Sequence, residues 1–225
     1  YKINPVRDYK QENYWTQARI KASAGFQYHI YKYAAKEFKK EGFKSLIDIG
    51  GGVGTKLKIL FSDWAERMVL VDRPEAEVIA KQVLPEATFI AADIENYQFV
   101  TNEKFDMVIC SDVIEHLDDP DKLLHILKHH VKNKGLIILS TPERDSRRGK
   151  NNMQSPNKEH VREWNAQELR LYLSSRGFNI ISQHGFPLAK MSKFAWITHQ
   201  VLAKLTGNYA AFPNQLIVLK YNENS

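Results

Sequence analysis

A short strand pattern, Ser45–Ile49, runs straight into Gly50-Gly51-Gly52-Val53-Gly54, and a helical pattern begins at Thr55 and continues to Trp64. A strand that empties into glycines and then a helix is the opening of a βαβ unit, because glycine lets the backbone turn tightly and come close to a ligand. The pattern then repeats. Strands are expected at Met68–Val71, Ala87–Ala91, Phe105–Cys110 and Gly135–Ser140, with helices at Glu75–Leu84 and Pro120–Val131, the latter capped by Asp118 or Asp119. Strands alternating with helices at this interval require a parallel sheet with right-handed crossovers. Their near-continuous apolar runs fit a sheet covered on both faces. Downstream, 143–163 reads as a long polar loop, followed by a helix Asn165–Ser175, a strand Phe178–Gln183, an amphipathic helix Lys190–Leu205 and a last strand Asn214–Tyr221. Upstream, helices are expected at 10–24 and 26–41, broken at Gly25.

The chain of 225 residues suits one domain, 1–225, with a helical extension (1–44), a half that carries the glycine loop (45–142) and a second half (143–225). Its single cysteine, Cys110, excludes an internal disulfide framework and a cysteine-rich zinc site. No bilayer-length apolar run and no leader pattern is present, so a cytoplasmic protein without a membrane partner is expected. The net charge of +6 is concentrated at one end: residues 1–44 hold ten Lys/Arg against four Asp/Glu, and the remainder balances. A second basic cluster spans 144–162, with Arg144, Arg147, Arg148, Lys150, Lys158 and Arg162 facing only Asp145 and Glu159. Such clusters suit an anionic partner, small or nucleic, although a solvated surface carries the same pattern.

The glycine loop needs its context to select a ligand. A dinucleotide fingerprint starting at Gly50 wants Gly or Ala at position 55, where Thr55 stands, and an apolar residue where Asp48 stands. Asp48 at the strand's carboxyl end would repel a pyrophosphate but can accept from a ligand ammonium. The second strand ends in Asp72, followed by Arg73, where a carboxylate can take both hydroxyls of a ribose. The third ends in Asp93-Ile94, offering a carboxylate and a backbone amide to an adenine edge, and the fourth in Ser111-Asp112. Four strands thus end in polar groups on the rim where open α/β sheets bind ligands.

In order along the chain stand SLIDIGGGVGT, VLVD, AADIEN, FDMVICSDVIEHL and KNKGLIILSTPE. This set resembles the class I S-adenosylmethionine-dependent methyltransferases. The resemblance implies a Rossmann-like α/β fold with a seven-stranded, mostly parallel sheet, helices on both faces and the last strand antiparallel. It further implies S-adenosyl-L-methionine as cofactor: Asp48 and Gly50, Gly51, Gly52 and Gly54 around the methionine part, Asp72 and Arg73 at the ribose, Asp93 and Ile94 at the adenine, and Ser111 and Asp112 closing the rim.

Methyl transfer to a hydroxyl or ammonium group needs positioning and a base near neutral pKa. His116, after the fourth strand, and His160, on the basic loop, are the candidate catalytic residues; His125, His129 and His130 read as surface residues of a helix. The segment Pro156–Trp164 is similar to one in methyltransferases of bacterial sugar and polysaccharide pathways, which together with the basic loop implies a small, sugar-linked or phosphorylated acceptor. The expected acceptor is thus small and anionic or sugar-linked, with oxygen expected rather than nitrogen. Trp15, Trp164 and Trp196 are candidates for an apolar cover or for core packing. Lys190–Leu205 puts Met191, Phe194, Ala195, Ile197, Val201, Leu202 and Leu205 on one broad side, which fits a substrate-side cap or a helix packed on the sheet edge. Asp112, Glu115, His116 and His160 also resemble the arrangement that holds magnesium in small-RNA 3′-end 2′-O-methyltransferases. That keeps an RNA-end enzyme with a divalent metal as the alternative, and a non-catalytic cofactor-binding domain as the other.

Overall fold

The computed structural model describes Ile3 and residues 15–97, 101–206 and 212–221. The elements are α1 (Gln17–Ser23), α2 (Tyr28–Lys40), β1 (Ser45–Ile49), α3 (Thr55–Phe61), β2 (Arg67–Asp72), α4 (Pro74–Val83), β3 (Thr88–Ala91), β4 (Phe105–Ser111), α5 (Pro120–His130), β5 (Val131–Pro142), α6 (Arg144–Arg148), α7 (Ala166–Ser174), β6 (Asn179–Phe186), α8 (Lys193–Thr206) and β7 (Asn214–Lys220). The seven strands form one sheet in the order β3-β2-β1-β4-β5-β7-β6. β7 runs antiparallel to both its neighbours, while β1 pairs in parallel with β2 and β4. The order reverses between β1 and β4, and the crevice outside their carboxyl ends is the ligand position this topology creates.

All five residues of β1 are buried, as a central strand covered on both faces requires. Alternate strand residues feed two cores. Leu46, Leu70, Met107 and Ile138 meet α2, α3 and α4 through Ile30, Phe38, Leu57, Phe61 and Ala80. Ile47, Val69, Val108 and Ile137 meet α5 and α7 through Leu123, Leu127, Leu169 and Leu173. Asp119 caps α5 by accepting from the Asp121 amide, with Pro120 in the first turn. Asn165 and Glu168 form a reciprocal capping box on α7.

Several expectations change. Only Gln17–Ser23 of the helix expected at 10–24 is seen, and residues 4–14 lie outside the described ones. The stretch expected as a solvated basic loop, 143–163, contains α6 and buries Arg144, Ser155, His160, Arg162 and Glu163. Half of its charge is spent internally: Arg144 pairs with Asp145 and Glu168, Arg148 with Glu163, and Arg162 donates to the Asp118 carbonyl, while Arg147, Lys150 and Lys158 stay exposed. His130 is buried rather than on the surface, bonded through Nδ1 to the Glu103 carbonyl (3.0 Å) and through Nε2 to the Tyr97 hydroxyl (3.1 Å). Asp106 accepts from the Lys44 and Ser45 amides, Ser45 Oγ and Lys132 Nζ at 2.8–3.0 Å, tying β1 to β4 and β5. Trp164 belongs to the core. No helix among the described residues is long and apolar enough to cross a membrane.

The helical extension is latched to the segment before α8. Phe26 bridges Ala189, Gln27 donates its amide to the Leu188 carbonyl (3.1 Å), and the Lys190 amide donates to Gly25 (3.0 Å). These bonds, with the Gln27 side chain on Asp112 at 3.0 Å, hold the start of α2 beside the carboxyl end of β4.

Candidate active site

The glycine loop is shaped by backbone conformation and by crowding. Gly50 and Gly52 have φ of +77° and +63°, values that L side chains rarely adopt. A Cβ at Gly50 would collide with Val113 after β4 and come 3.5 Å from Ile94 after β3, so three strand ends converge on this one residue. The Trp15 indole lies over Gly52, 2.6 Å from where a Cβ would stand, and is therefore the one tryptophan of the three candidates that covers the loop.

Asp48 lies beneath the loop. It is fully buried and accepts from the Tyr31 hydroxyl at 2.9 and 3.2 Å. Burial pushes its carboxyl up to about 7, against the pull of the nearby Lys56 ammonium and the Tyr31 hydrogen bond. Asp72 stands at the tip of β2, where its Oδ2 accepts from the Gly52 amide (2.6 Å) and its Oδ1 from the Arg73 amide (2.8 Å). Asp93 caps the single helical turn after β3 by accepting from the Glu95 amide (3.1 Å), and Ile94 follows it on the rim.

Beyond β4 the chain makes an unusual turn. Among the described residues, Gln27 and Asp112 are the non-glycines with positive φ, +52° and +56°, and their side chains bond to each other at 3.0 Å. Strain in a non-glycine backbone persists only where surrounding contacts over-determine it. Here Asp112 also accepts from Ser140 Oγ (2.8 Å) and from Asn214 Nδ2 (3.0 Å). Ser111 is drawn into the same cluster through Ser140 Oγ (2.8 Å). These bonds join α2, β4, β5 and β7 at one point on the rim.

His116 and His160 meet, with ring centroids 4.8 Å apart. His116 Nδ1 bonds to the Glu159 carbonyl (3.0 Å), and burial with the neighbouring His160 pushes its pKa down to about 4, so this imidazole is neutral. His160 Nδ1 bonds to Glu163 Oε1 at 2.6 Å, and Glu163 in turn takes Ser155 Oγ (2.7 Å) and Arg148. Although burial opposes it, hydrogen bonds from His160 and Ser155 hold the Glu163 carboxyl down at about 2, so it stays ionised behind the imidazole. The Val161 amide donates to the Glu115 carbonyl at 2.8 Å, which brings the histidine pair together beside the turn after β4.

A divalent cation would find donors here. One ligand atom from each of Glu115, His116 and His160 lies within 4.8 Å of the others. Glu115 is buried; Thr141 Oγ1 donates to its Oε2 (2.9 Å), while its Oε1 has no hydrogen-bond partner and sits 3.9 Å from His116 Nε2. An orphaned buried carboxylate oxygen beside two imidazoles is a donor set that suits manganese or zinc as well as magnesium. Asp112, the fourth member expected from sequence, is committed to Gln27, Ser140 and Asn214 instead. Sequence reasoning also missed Tyr31, Gln27, Asn214 and Glu163. Only Glu163 carried a local signal, an acid three residues after His160.

Residues 15–183 match a family model described as a methyltransferase domain. A ubiquinone biosynthesis O-methyltransferase of Glaesserella parasuis is 26% identical over 112 residues, covering 46% of this chain and 48% of that protein. A trans-aconitate 2-methyltransferase of Escherichia coli is 27% identical over 105 residues, covering 46% of this chain and 41% of that protein. The chain thus spans less than half the length of these relatives. Among solved structures, an S-adenosylmethionine-dependent methyltransferase from Clostridium acetobutylicum superposes with a TM-score of 0.63 at 15% identity, covering 87% of this chain and 92% of that one. The plantazolicin methyltransferase BpumL, solved with SAH and a substrate analogue, does so at 0.59 and 19% identity, covering 88% and 84%. With its strand order, its glycine loop and this match over most of its length, the chain belongs to the methyltransferase domain family, and its cofactor is S-adenosylmethionine.

Proposed function

We propose that this protein transfers a methyl group from S-adenosylmethionine to an oxygen of a small, anionic or sugar-linked acceptor, with His160 as general base. The observation that carries this reading is the buried Glu163–His160 pair facing His116 just beyond the end of β4. The bound cofactor supplies an electrophilic methyl group on a sulfonium. Asp72 takes the ribose hydroxyls, Asp93 and Ile94 border the adenine, and the loop Gly50–Gly54 lies along the methionine part. Asp48, from below, holds the loop's floor through Tyr31. His160 accepts the acceptor's hydroxyl proton, and the ionised Glu163 orients the ring and stabilises the resulting imidazolium. Neutral His116 offers a hydrogen bond to the acceptor, and the exposed Arg73, Arg147, Lys150 and Lys158 supply attraction for a negative charge. The names of the two relatives, an O-methyltransferase and an enzyme acting on trans-aconitate, agree with oxygen and with an acidic small molecule.

The test is a labelled-methyl assay against a panel of hydroxylated acids and sugar phosphates. His160→Ala should lower kcat by about 10²–10⁴-fold while leaving cofactor affinity within a few-fold. Full activity in that variant would remove His160 from the chemistry. A second reading rests on the orphaned Glu115 oxygen: Glu115, His116 and His160 would hold a divalent cation, supplying Lewis-acid stabilisation to a vicinal diol such as an RNA end. In that case activity would vanish on chelation and return with Mn²⁺ or Mg²⁺.

A further inference from the structure

The helix α8 is amphipathic, but it is docked with much of its apolar surface outward. Trp196 faces in, with ring centroids 4.9 Å from His29, 5.3 Å from Phe186 and 5.7 Å from Phe212. Phe194, Ile197, Val201 and Leu205, spaced by three or four residues on the other side, are 82%, 51%, 50% and 77% exposed. Along the helix axis this stripe is about 16 Å long. Isolated apolar residues on a surface need no explanation, whereas an apolar row on one helix face points to something that covers it.

The charge around the stripe identifies what that is. From Leu169 to Asn222 the sequence has no Asp or Glu and six Lys/Arg. Lys190 and Lys193 are exposed at the entrance to α8, with Lys32 exposed on the adjoining α2. Lys190 rests on the Tyr28 ring at 4.7 Å, and Lys32 and Lys190 both lie close enough to His29 to hold its pKa down, after burial, so the three side chains share one neighbourhood. A second copy of the chain packed on this face would bring no Asp or Glu from 169–222 to pair with these lysines. An apolar stripe with a basic, acid-free flank is instead the composition of a helix that lies in the interface of an anionic bilayer.

Against the sequence expectation of no membrane partner, we propose that α8 seats the protein on an anionic membrane surface, with Phe194, Ile197, Val201 and Leu205 in the acyl boundary and Lys32, Lys190 and Lys193 at the headgroups. Attachment of this kind is peripheral, and it does not depend on which acceptor the active site takes. Because Trp196 ties α8 to His29 and Phe212, the helix that meets lipid is fastened on its inner side to the helical extension.

The test is co-sedimentation of the full chain with vesicles of phosphatidylglycerol and phosphatidylcholine, or of phosphatidylcholine alone. The protein should pellet with the anionic vesicles and be released by high salt. Phe194→Ser with Leu205→Ser, and separately Lys190→Glu with Lys193→Glu, should each weaken partition by about tenfold or more. Cofactor affinity should be unchanged in both, because all four side chains are exposed, and the melting temperature should fall only slightly in the lysine pair, which loses the Lys190 contact with Tyr28. Failure of the wild-type chain to pellet with anionic vesicles would overturn the proposal. So would equal partition of the variants, or a dimer that Phe194→Ser with Leu205→Ser dissolves without any vesicle binding.

Discussion

Asp72→Ala separates two tasks that meet on one carboxylate. Each oxygen already takes one backbone amide, Gly52 at 2.6 Å and Arg73 at 2.8 Å. A carboxylate offers about four lone-pair sites, so roughly two remain for ribose hydroxyls. Hydrogen bonds to a charged group are worth about 1.5–3 kcal/mol, so the variant should bind cofactor about 10- to 200-fold more weakly. The Gly52 amide, left without its acceptor, costs about 1–3 kcal/mol of stability, or about 2–4 °C of Tm per kcal/mol in a chain of this size. Titration calorimetry with S-adenosylhomocysteine measures the first effect and a thermal melt the second. Asp72→Asn serves as the isosteric control: its amide nitrogen must confront a backbone N–H, so its affinity should fall within a few-fold of the Ala variant. A folded Asp72→Ala protein with unchanged affinity refutes the ribose assignment, and a lower Tm alone would leave Asp72 as a brace of the loop.

With His160 as base, activity should survive exhaustive chelation; loss that Mn²⁺ restores would transfer His116 and His160 to a cation. Asp106 provides a pH test of the fold. Although partial burial opposes it, the Lys132 ammonium, Ser45 and two backbone amides hold its carboxyl at about 2, below its unfolded value. The stabilisation is therefore full above the unfolded pKa and is lost as pH falls through about 2. Asp106→Asn should cost about 1–2 kcal/mol near pH 7, discounted for its partial exposure. The gap in Tm between wild type and variant should close between about pH 4 and 2, and a constant gap would contradict the assignment. Hydrogen exchange in residues 15–24 should slow on cofactor binding, because Trp15 lies on Gly52, whereas 143–163, pinned by buried ion pairs, should change little. A uniform response of both segments would show that they close together.

Much of this protein was legible in its sequence because the relevant physics is local. A strand's apolar run, the glycines after it and a capped helix lie within about 15 residues of one another, and their repetition dictates a parallel sheet with its polar rim at the strand ends. The positions of Gly50–Gly54, Asp72, Asp93 and Asp112 on that rim followed from counting. Tertiary structure decided which polar groups face which partners. Gln27 and Asp112 are 85 residues apart, and Asn214 and Asp112 are 102 apart, with no periodicity to announce either bond. The basic stretch 144–162 looked like a surface because composition does not record pairing; Glu163 and Glu168, just beyond it, take its arginines inward. The α8 pattern was equally blind to direction. A helical period tells that one side is apolar, but only the docking of Trp196 on His29, Phe186 and Phe212 turns the row from Phe194 to Leu205 toward the outside.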